Sequence, residues 1–452
     1  MKDLTSGSIA RHIVAMAIPM AVTMLVQTLY YFVDLYFVAR LGDAAIAGVS
    51  AAGNGMFLII ALTQVLGVGA VALVSHAVGR KDRDEANLVF NQSLALASAL
   101  GVLTLIGVYI LAKPYVATLA ADEDTLHAGR TYLYWFAPGL ALQFAMVAMS
   151  SALRGTGIVK PTMIAQVATL AMNIVLAPIL IAGWGTGYAM GVAGAGLAST
   201  ISIAFGVGAL TLYFVRVEKY VSFRADQWLP RPAVWTRMLK IGLPAGGEFA
   251  LIFLFIAVTY WVIRDFGAAA QAGFGIGSRV MQGIFLPAVA FAFAAAPVAG
   301  QNFGAQQPDR VRETFRAAAM LCSGAMLFAT LVCQWDSALL VGLFSSEEEV
   351  IHVGAVFLTI ISWNFVLAAI NMVCSSMFQA LGNTVPALMS SATRLVTYAA
   401  PAIWLATRGD FQLEHVWYIN VATVVLQTCV SLTLLQRELR SRLHGMTPAE
   451  LG

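Results

Sequence analysis

Charge is what this chain has least of. Asp, Glu, Lys and Arg make up 11% of its 452 residues, less than half the share of an ordinary soluble domain, while 60% are hydrophobic and mean hydropathy is +0.80. A chain this apolar belongs in a bilayer. The net charge of +3 is small and scattered, with no basic stripe interleaved with aromatics, which excludes a nucleic-acid surface. Cysteine is scarce too: Cys322, Cys333, Cys374 and Cys429 lie in apolar stretches without CxxC or Cys/His spacing, so neither a zinc site nor a disulfide framework is indicated. All four read as buried thiols. Of six histidines only His76 falls well inside an apolar run, and no acid, cysteine or second histidine lies one helical turn away. That argues against an intramembrane enzyme, which needs a nucleophile with a base or a metal set, and no metal ligand set is expected.

Small and flexible residues are plentiful: 39 glycines let membrane helices approach closely, and 18 methionines suit either close packing or a cavity that accepts varied apolar ligands. A membrane span needs about 20 apolar residues. Twelve such runs can be read, at 10–38, 45–78, 88–111, 130–152, 161–182, 191–215, 239–263, 270–300, 315–334, 351–378, 385–406 and 415–436. The first follows Lys2 and Arg11 but is too long for a signal-peptide core and lacks a cleavage pattern, so it reads as a retained helix. Pro19, Pro244 and Pro287 are expected kink points, since each removes a helical hydrogen bond.

Lys and Arg orient the spans. With both termini and the even-numbered connections on one side, that side holds 19 of the 26 basic residues; Arg40, Lys113, Arg130, Arg264 and Arg408 lie opposite, and Arg279 and Arg394 fall inside spans. The asymmetry places both termini in the cytoplasm, for a multi-pass membrane protein.

A constant shift of 225 residues relates the two halves. It carries Pro19 to Pro244, Gly42 to Gly267, Gly48 to Gly273, Gly79 to Gly304, Asp84 to Asp309, Gly157 to Gly382 and Pro161 to Pro386. Six spans per copy is even, so the copies insert in the same orientation, as two parallel bundles with a cavity between them. The expected architecture is all-α and integral to the membrane: an N-terminal six-helix lobe over 1–215, a basic cytoplasmic linker over 216–240, and a C-terminal lobe over 241–452.

Ionisable groups inside hydrocarbon are expensive and mark functional pathways by default. Asp34 is the sharpest case, a lone carboxylate in the first span, on a stripe with Met20, Met24, Gln27 and Tyr31 at heptad spacing. It is the candidate proton or cation carrier, against a structural reading as a hydrogen-bonded Asp. In the fifth span Gln166, Thr169, Asn173 and Ala177 form a similar stripe, and Asn173 is a candidate partner for Asp34, a cation ligand or an interhelical hydrogen bond. Glu248 follows Pro244 by one turn in the seventh span; it serves substrate recognition, a second coupling site, or neither if solvated. Arg279 and Gln282 lie one turn apart in the eighth span and Arg394 lies in the eleventh; both arginines are expected to pair structurally with an acid or a helix carbonyl terminus. Asn364, Asn371 and Gln379 run along the tenth. Under the shift Asp34 answers to Thr259 and Glu248 to Thr23, so neither acid has a twin.

Three segments carry a resemblance: Ile18-Pro19 through Tyr31-Phe32-Val33-Asp34, Asn173 through Pro178, and Ala272-Gly273-Phe274-Gly275-Ile276-Gly277 leading to Val298 through Ala305. They resemble the multidrug and toxic compound extrusion (MATE) transporters over essentially the whole chain, in layout most like the bacterial DNA-damage-inducible branch. The resemblance implies a V-shaped pair of six-helix lobes and export of cationic or amphipathic organic compounds by antiport against protons or sodium, without a cofactor. It also implies that Asp34 couples the ion with Asn173 nearby, and that the first helix bends around Pro19. The chain departs from the pattern at Ala177, where branch members often carry a second acid, and in lacking the acid of the tenth span found in sodium-coupled relatives; the proton is therefore favoured over sodium. The competing reading is a lipid-linked precursor flippase of the same superfamily, which predicts a strongly cationic cavity where this chain has only Arg279 and Arg394. Expected partners are small organic molecules and lipid, with the chain monomeric.

Overall fold

The computed structural model describes residues 1–408, 411–444 and 446. Its elements in chain order are α1 (Ile9–Ala39), α2 (Asp43–Gly79), α3 (Arg83–Ala117), α4 (Glu123–Gly155), α5 (Lys160–Ala182), α6 (Val192–Arg216), α7 (Pro232–Ile263), α8 (Ala268–Gly304), α9 (Pro308–Gly342), α10 (Glu348–Ile361), α11 (Phe365–Ala380), α12 (Val385–Ala406) and α13 (Leu413–Leu443), with three single turns of 3-10 helix and no strand among the described residues. Ten of these helices are long and apolar enough to cross a membrane, and α10 with α11 makes one broken span. The twelfth, α12, has 22 residues but carries Ser390, Ser391, Thr393, Arg394 and Thr397. The protein is a multi-pass, all-helical membrane protein.

The 225-residue repeat is built into the backbone. Helices α2 and α8, and α3 and α9, begin and end on residues related by that shift. Gly42 and Gly267 have φ of 106° and 90°, and Gly157 and Gly382 have 80° and 75°. These turns demand a left-handed residue, which glycine supplies without steric cost. Even the non-glycine exceptions pair: Lys81 at φ 59° answers Gln306 at φ 57°.

The tenth span departs from a single run. The chain bends by 61° between α10 and α11, whereas its repeat-mate α4 is continuous even though it contains Pro138. At the break, α9 satisfies the freed groups: Thr330 Oγ1 donates to the Ser362 carbonyl at 2.8 Å, and Gln334 Nε2 donates to the Thr359 carbonyl at 2.7 Å and to Ser362 Oγ at 2.8 Å. A helix can break in lipid only where other groups re-satisfy its backbone. Pro19, Pro244 and Pro287, the expected kink points, each sit inside an uninterrupted helix. A non-helical residue appears instead in α9, at Asp336, whose Oδ1 accepts from Leu339 N and so caps the segment that follows.

The chain divides into two compact units, one of Met1–Asp3 with Val22–Gly242 and one of Leu4–Ala21 with Leu243–Gly452. Of the three boundaries, one lies ahead of α1 and two fall within helices, α1 and α7, next to Pro19 and Pro244.

In the first unit, the stretch expected as a linker is strapped to α3. Asn91 Nδ2 donates to the Ser222 carbonyl at 3.0 Å and its Oδ1 accepts from Arg224 N at 3.0 Å and Trp228 Nε1 at 3.1 Å. Asn87 bonds Tyr220 and Ser222, and Gln92 bonds Gln227, Leu229 and Arg231. These three amides are fully buried and leave little slack from 220 to 231. The start of α7 then crosses α2 backbone to backbone: a Cβ on Gly242 would collide with the Val65 carbonyl, and one on Gly69 with that of Met238.

In the second unit, the chain ahead of α1 is held in an analogous manner. Leu4 N donates to Gln301 Oε1 at 3.0 Å, its carbonyl accepts from Asn302 Nδ2 at 3.1 Å, and Arg310 reaches Asn302 Oδ1 at 2.8 Å and the Gly7 carbonyl at 3.1 Å. The core here is aromatic: Trp417 stacks on Phe274 at 5.5 Å and meets Phe357 edge-on at 4.8 Å. Cys322, Cys333 and Cys374 are buried, but Cys429 is exposed on the outer face of α13, a correction to the expectation for all four.

Candidate ion-coupling site

Helix α1 turns one edge, Val26, Tyr30, Asp34 and Val38, toward the first unit's interior, a ladder at four-residue spacing. The heptad stripe drawn through Gln27 and Tyr31 picks the wrong neighbours. Gln27 is exposed and Tyr31 is 60% exposed, while Asp34 is 8% exposed and Tyr30, one turn before it, brings its hydroxyl within electrostatic reach of the carboxylate.

Two other helices complete the Asp34 environment. Tyr132 on α4, itself 4% exposed, donates its hydroxyl to Asp34 Oδ2 at 3.1 Å, and Ser199 on α6 donates to Oδ1 at 3.5 Å. The surroundings are apolar and small: Ala45, Ala177 and Ala195 belong to the same core as Tyr132 and Val38. No Lys, Arg or His forms an ion pair with Asp34 among the described residues. Asn173 does not bond Asp34 as anticipated. Its Nδ2 donates to the Tyr30 hydroxyl at 3.1 Å, and its Oδ1 is buried without a partner. Asp34, Tyr30, Asn173, Tyr132 and Ser199 thus converge from α1, α4, α5 and α6, with a single negative charge among neutral donors and one spare oxygen. Such a set can take up one positive charge, as a proton on the carboxylate or as a small cation. Of its members, Tyr30, Tyr132 and Ser199 escape a reading of the sequence, because Tyr132 lies 98 residues and Ser199 165 residues from Asp34.

The second unit keeps the positions and changes the chemistry. Under the 225 shift Asp34 becomes Thr259, Tyr30 becomes Phe255, Asn173 becomes Tyr398 and Tyr132 becomes Phe357. The counterparts still meet: the Thr259 and Tyr398 hydroxyls are 2.9 Å apart, and the Phe255 and Tyr398 rings 4.5 Å. Two turns before Phe255 on α7, Glu248 accepts from Ser375 on α11 at 2.8 Å and from Ser391 on α12 at 3.5 Å, with no cation paired to it among the described residues.

The remaining expected residues scatter. Gln166 Nε2 donates to Met146 Sδ at 3.8 Å, and Asn371 Nδ2 donates to Thr428 Oγ1 at 2.9 Å while its Oδ1 is buried unpartnered. Gln282 and Arg279 are both exposed on α8. Among the described residues neither arginine pairs with an acid: Arg394 bonds the amide of Asn420 and lies over the Phe255 ring, while Glu248 is engaged by the two serines. Among the described residues no cluster of three His, Cys, Asp or Glu can hold a metal.

The chain is similar to several known proteins over most of its length. It is 24% identical to the probable multidrug resistance protein YoeA of Bacillus subtilis, over 83% of this chain and 82% of that protein, and 25% identical to the multidrug export protein MepA of Staphylococcus aureus, over 81% and 80%. Its fold is that of solved MATE structures. One, crystallised in complex with MaL6, superposes with a TM-score of 0.90 at 24% identity over 97% of this chain and 98% of that one; an outward-facing MATE transporter gives 0.88. The MatE family model matches twice, at 19–179 and 244–404, two segments separated by the same 225 residues as the repeat, and the chain belongs to the MatE family of transporters.

Proposed function

We propose that this protein exports cationic or amphipathic organic compounds across a bacterial inner membrane in exchange for protons, by alternating access, with Asp34 as the coupling carboxylate and both termini in the cytoplasm. The observation that carries the reading is the Asp34 environment: an acid buried in a membrane helix and bonded, among the described residues, only to the neutral hydroxyls of Tyr132 and Ser199. A permanently ionised structural Asp would be expected to have a fixed cation, since an unpaired charge in hydrocarbon costs several kcal/mol. Here the charge can be removed by one proton, and the rotatable hydroxyls can then turn to accept from the new O–H. The multidrug names of YoeA and MepA support the substrate class.

Sodium remains the second candidate ion because Asn173 Oδ1 offers one further oxygen. A single carboxylate with few oxygens around it suits a proton better than a metal cation, which takes several oxygen ligands. Glu248 is proposed as a second coupling or substrate-binding group, and Gln27, Tyr31, Gln166, Gln282 and Asn371 as contributors to the substrate path. The protein is proposed to act as a monomer.

The test is ethidium efflux from proteoliposomes under an imposed pH gradient and, separately, under a sodium gradient. Wild type is expected to respond to the pH gradient, and Asp34→Asn to lose that response entirely. Unchanged efflux in the variant would remove Asp34 from the mechanism, and efflux driven by sodium alone would reassign the ion.

A further inference from the structure

Arg394 is a half-buried cation inside a membrane span that the coupling scheme leaves unused. It projects from α12 one turn beyond Ser391, the residue that bonds Glu248, and one turn before Tyr398. Its Nη2 donates to Asn420 Oδ1 on α13 at 3.2 Å, and its Cζ lies 4.4 Å from the centroid of the Phe255 ring on α7. Nε is buried with no hydrogen-bond partner, while Nη1 makes no bond and is not occluded. No carboxylate pairs with it among the described residues.

Retention of such a group is costly unless something supplies the missing negative charge. A guanidinium in hydrocarbon costs several kcal/mol, and one amide oxygen and one aromatic face offset only part of that. The repeat sharpens the point, because Phe255, Thr259 and Tyr398 occupy the positions of Tyr30, Asp34 and Asn173. Where the first unit holds a lone carboxylate among neutral donors, the second holds a lone guanidinium among neutral groups.

We propose that Arg394, framed by Asn420 and Phe255, is an anion-accepting subsite for the carboxylate of an amphipathic organic substrate. Glu248, about one to two helical turns away along the same α7–α12 seam, takes that substrate's cationic end. The inference rests on the export reading and deepens it, by extending the substrate class from cations to zwitterions. Arginine fits the role because its planar fork matches a carboxylate, and a charge-assisted hydrogen bond contributes more than a neutral one.

The experiment measures equilibrium binding, by fluorescence anisotropy, of rhodamine B and of its ethyl ester to the purified full-length protein in detergent at neutral pH. The two probes share a cationic xanthene and differ in whether the carboxylate is free. Wild type is expected to bind the free acid roughly tenfold or more tightly than the ester, the size of one charge-assisted contact. Arg394→Gln is expected to abolish that preference while leaving ester affinity unchanged, which also shows that the variant is folded; Arg394→Lys is expected to keep part of it. Equal affinity for the two probes in wild type, no binding of either, or parallel weakening of both in Arg394→Gln would overturn the assignment. No ion gradient is used, so these outcomes are separable from those of the ethidium assay, which bears on the coupling reading.

Discussion

At the Asp34 carboxylate the two hydroxyl donors are unequal. Tyr132, itself buried, donates at 3.1 Å, whereas the Ser199 contact is long at 3.5 Å. Tyr132→Phe keeps the ring against Phe136 and removes only the donor. A hydrogen bond to a charged group contributes about 1.5–3 kcal/mol, so pH-driven ethidium efflux is expected to fall about tenfold with protein abundance unchanged. Wild-type rates in that variant would mean that Tyr132 is a packing residue with an incidental contact. The same position shows why the site was half legible. Asp34 announces itself, because a carboxylate in an apolar run has few explanations. Its partners are a tyrosine and a serine on distant helices, and neither type is unusual in a membrane span. Periodicity along α1 failed for a related reason: Tyr30 and Tyr31 are adjacent, about 100° apart around the helix, and only packing against α5 decides which faces Asp34.

Among the elements, α3 carries the most concentrated polar work outside the coupling site. Asn91 alone bonds Asn87, Ser222 and Gln227 through its nitrogen and Arg224 and Trp228 through its oxygen. Asn91→Ala leaves several of these groups buried without partners, at a cost of about 2–4 kcal/mol. The expected outcome is a midpoint of thermal unfolding in detergent lower by several degrees, with Asn91→Asp no milder, because its second oxygen would face the Asn87 and Ser222 carbonyls and Gln227 Oε1 to which the amide nitrogen donates. A midpoint equal to wild type would show that the strap from 220 to 231 is held by something else. The sequence reads here as a basic cytoplasmic linker over 216–240, containing Pro230 and Pro232. The strap has a physical source that composition does not display: side-chain amides match the segment's backbone donors and acceptors, Phe223 packs on Phe90 and Phe214, and all of these partners lie on other elements. The broken tenth span was missed for a similar reason. Its run is apolar enough to read as one span despite Ser362 and Asn364 at the break, and the groups that let it bend, Thr330 and Gln334, belong to α9.

For the whole molecule, the duplication was the most legible property, because it is written in residues with narrow backbone tolerance. Gly42, Gly157, Gly267 and Gly382 occupy left-handed turns that admit few alternatives, so the punctuation is shared even where the chemistry differs, as at Asp34 and Thr259. The distribution of basic residues makes a separate claim about orientation. In a cysteine-free background, a membrane-impermeant maleimide is expected to label Thr186→Cys in intact cells and Ser6→Cys only after permeabilisation, both positions being exposed. The reverse pattern would invert the assigned topology and put the strapped segment outside. A last consequence follows from where the two units divide. Because residues 4–21 belong to the second unit and residues 232–242 to the first, a cut between α6 and α7 yields two fragments that each hold a stretch of the other's core and lack a stretch of their own. Expressed singly, neither half should accumulate; co-expressed from separate open reading frames, they should copurify as a functional pair without any peptide bond joining them.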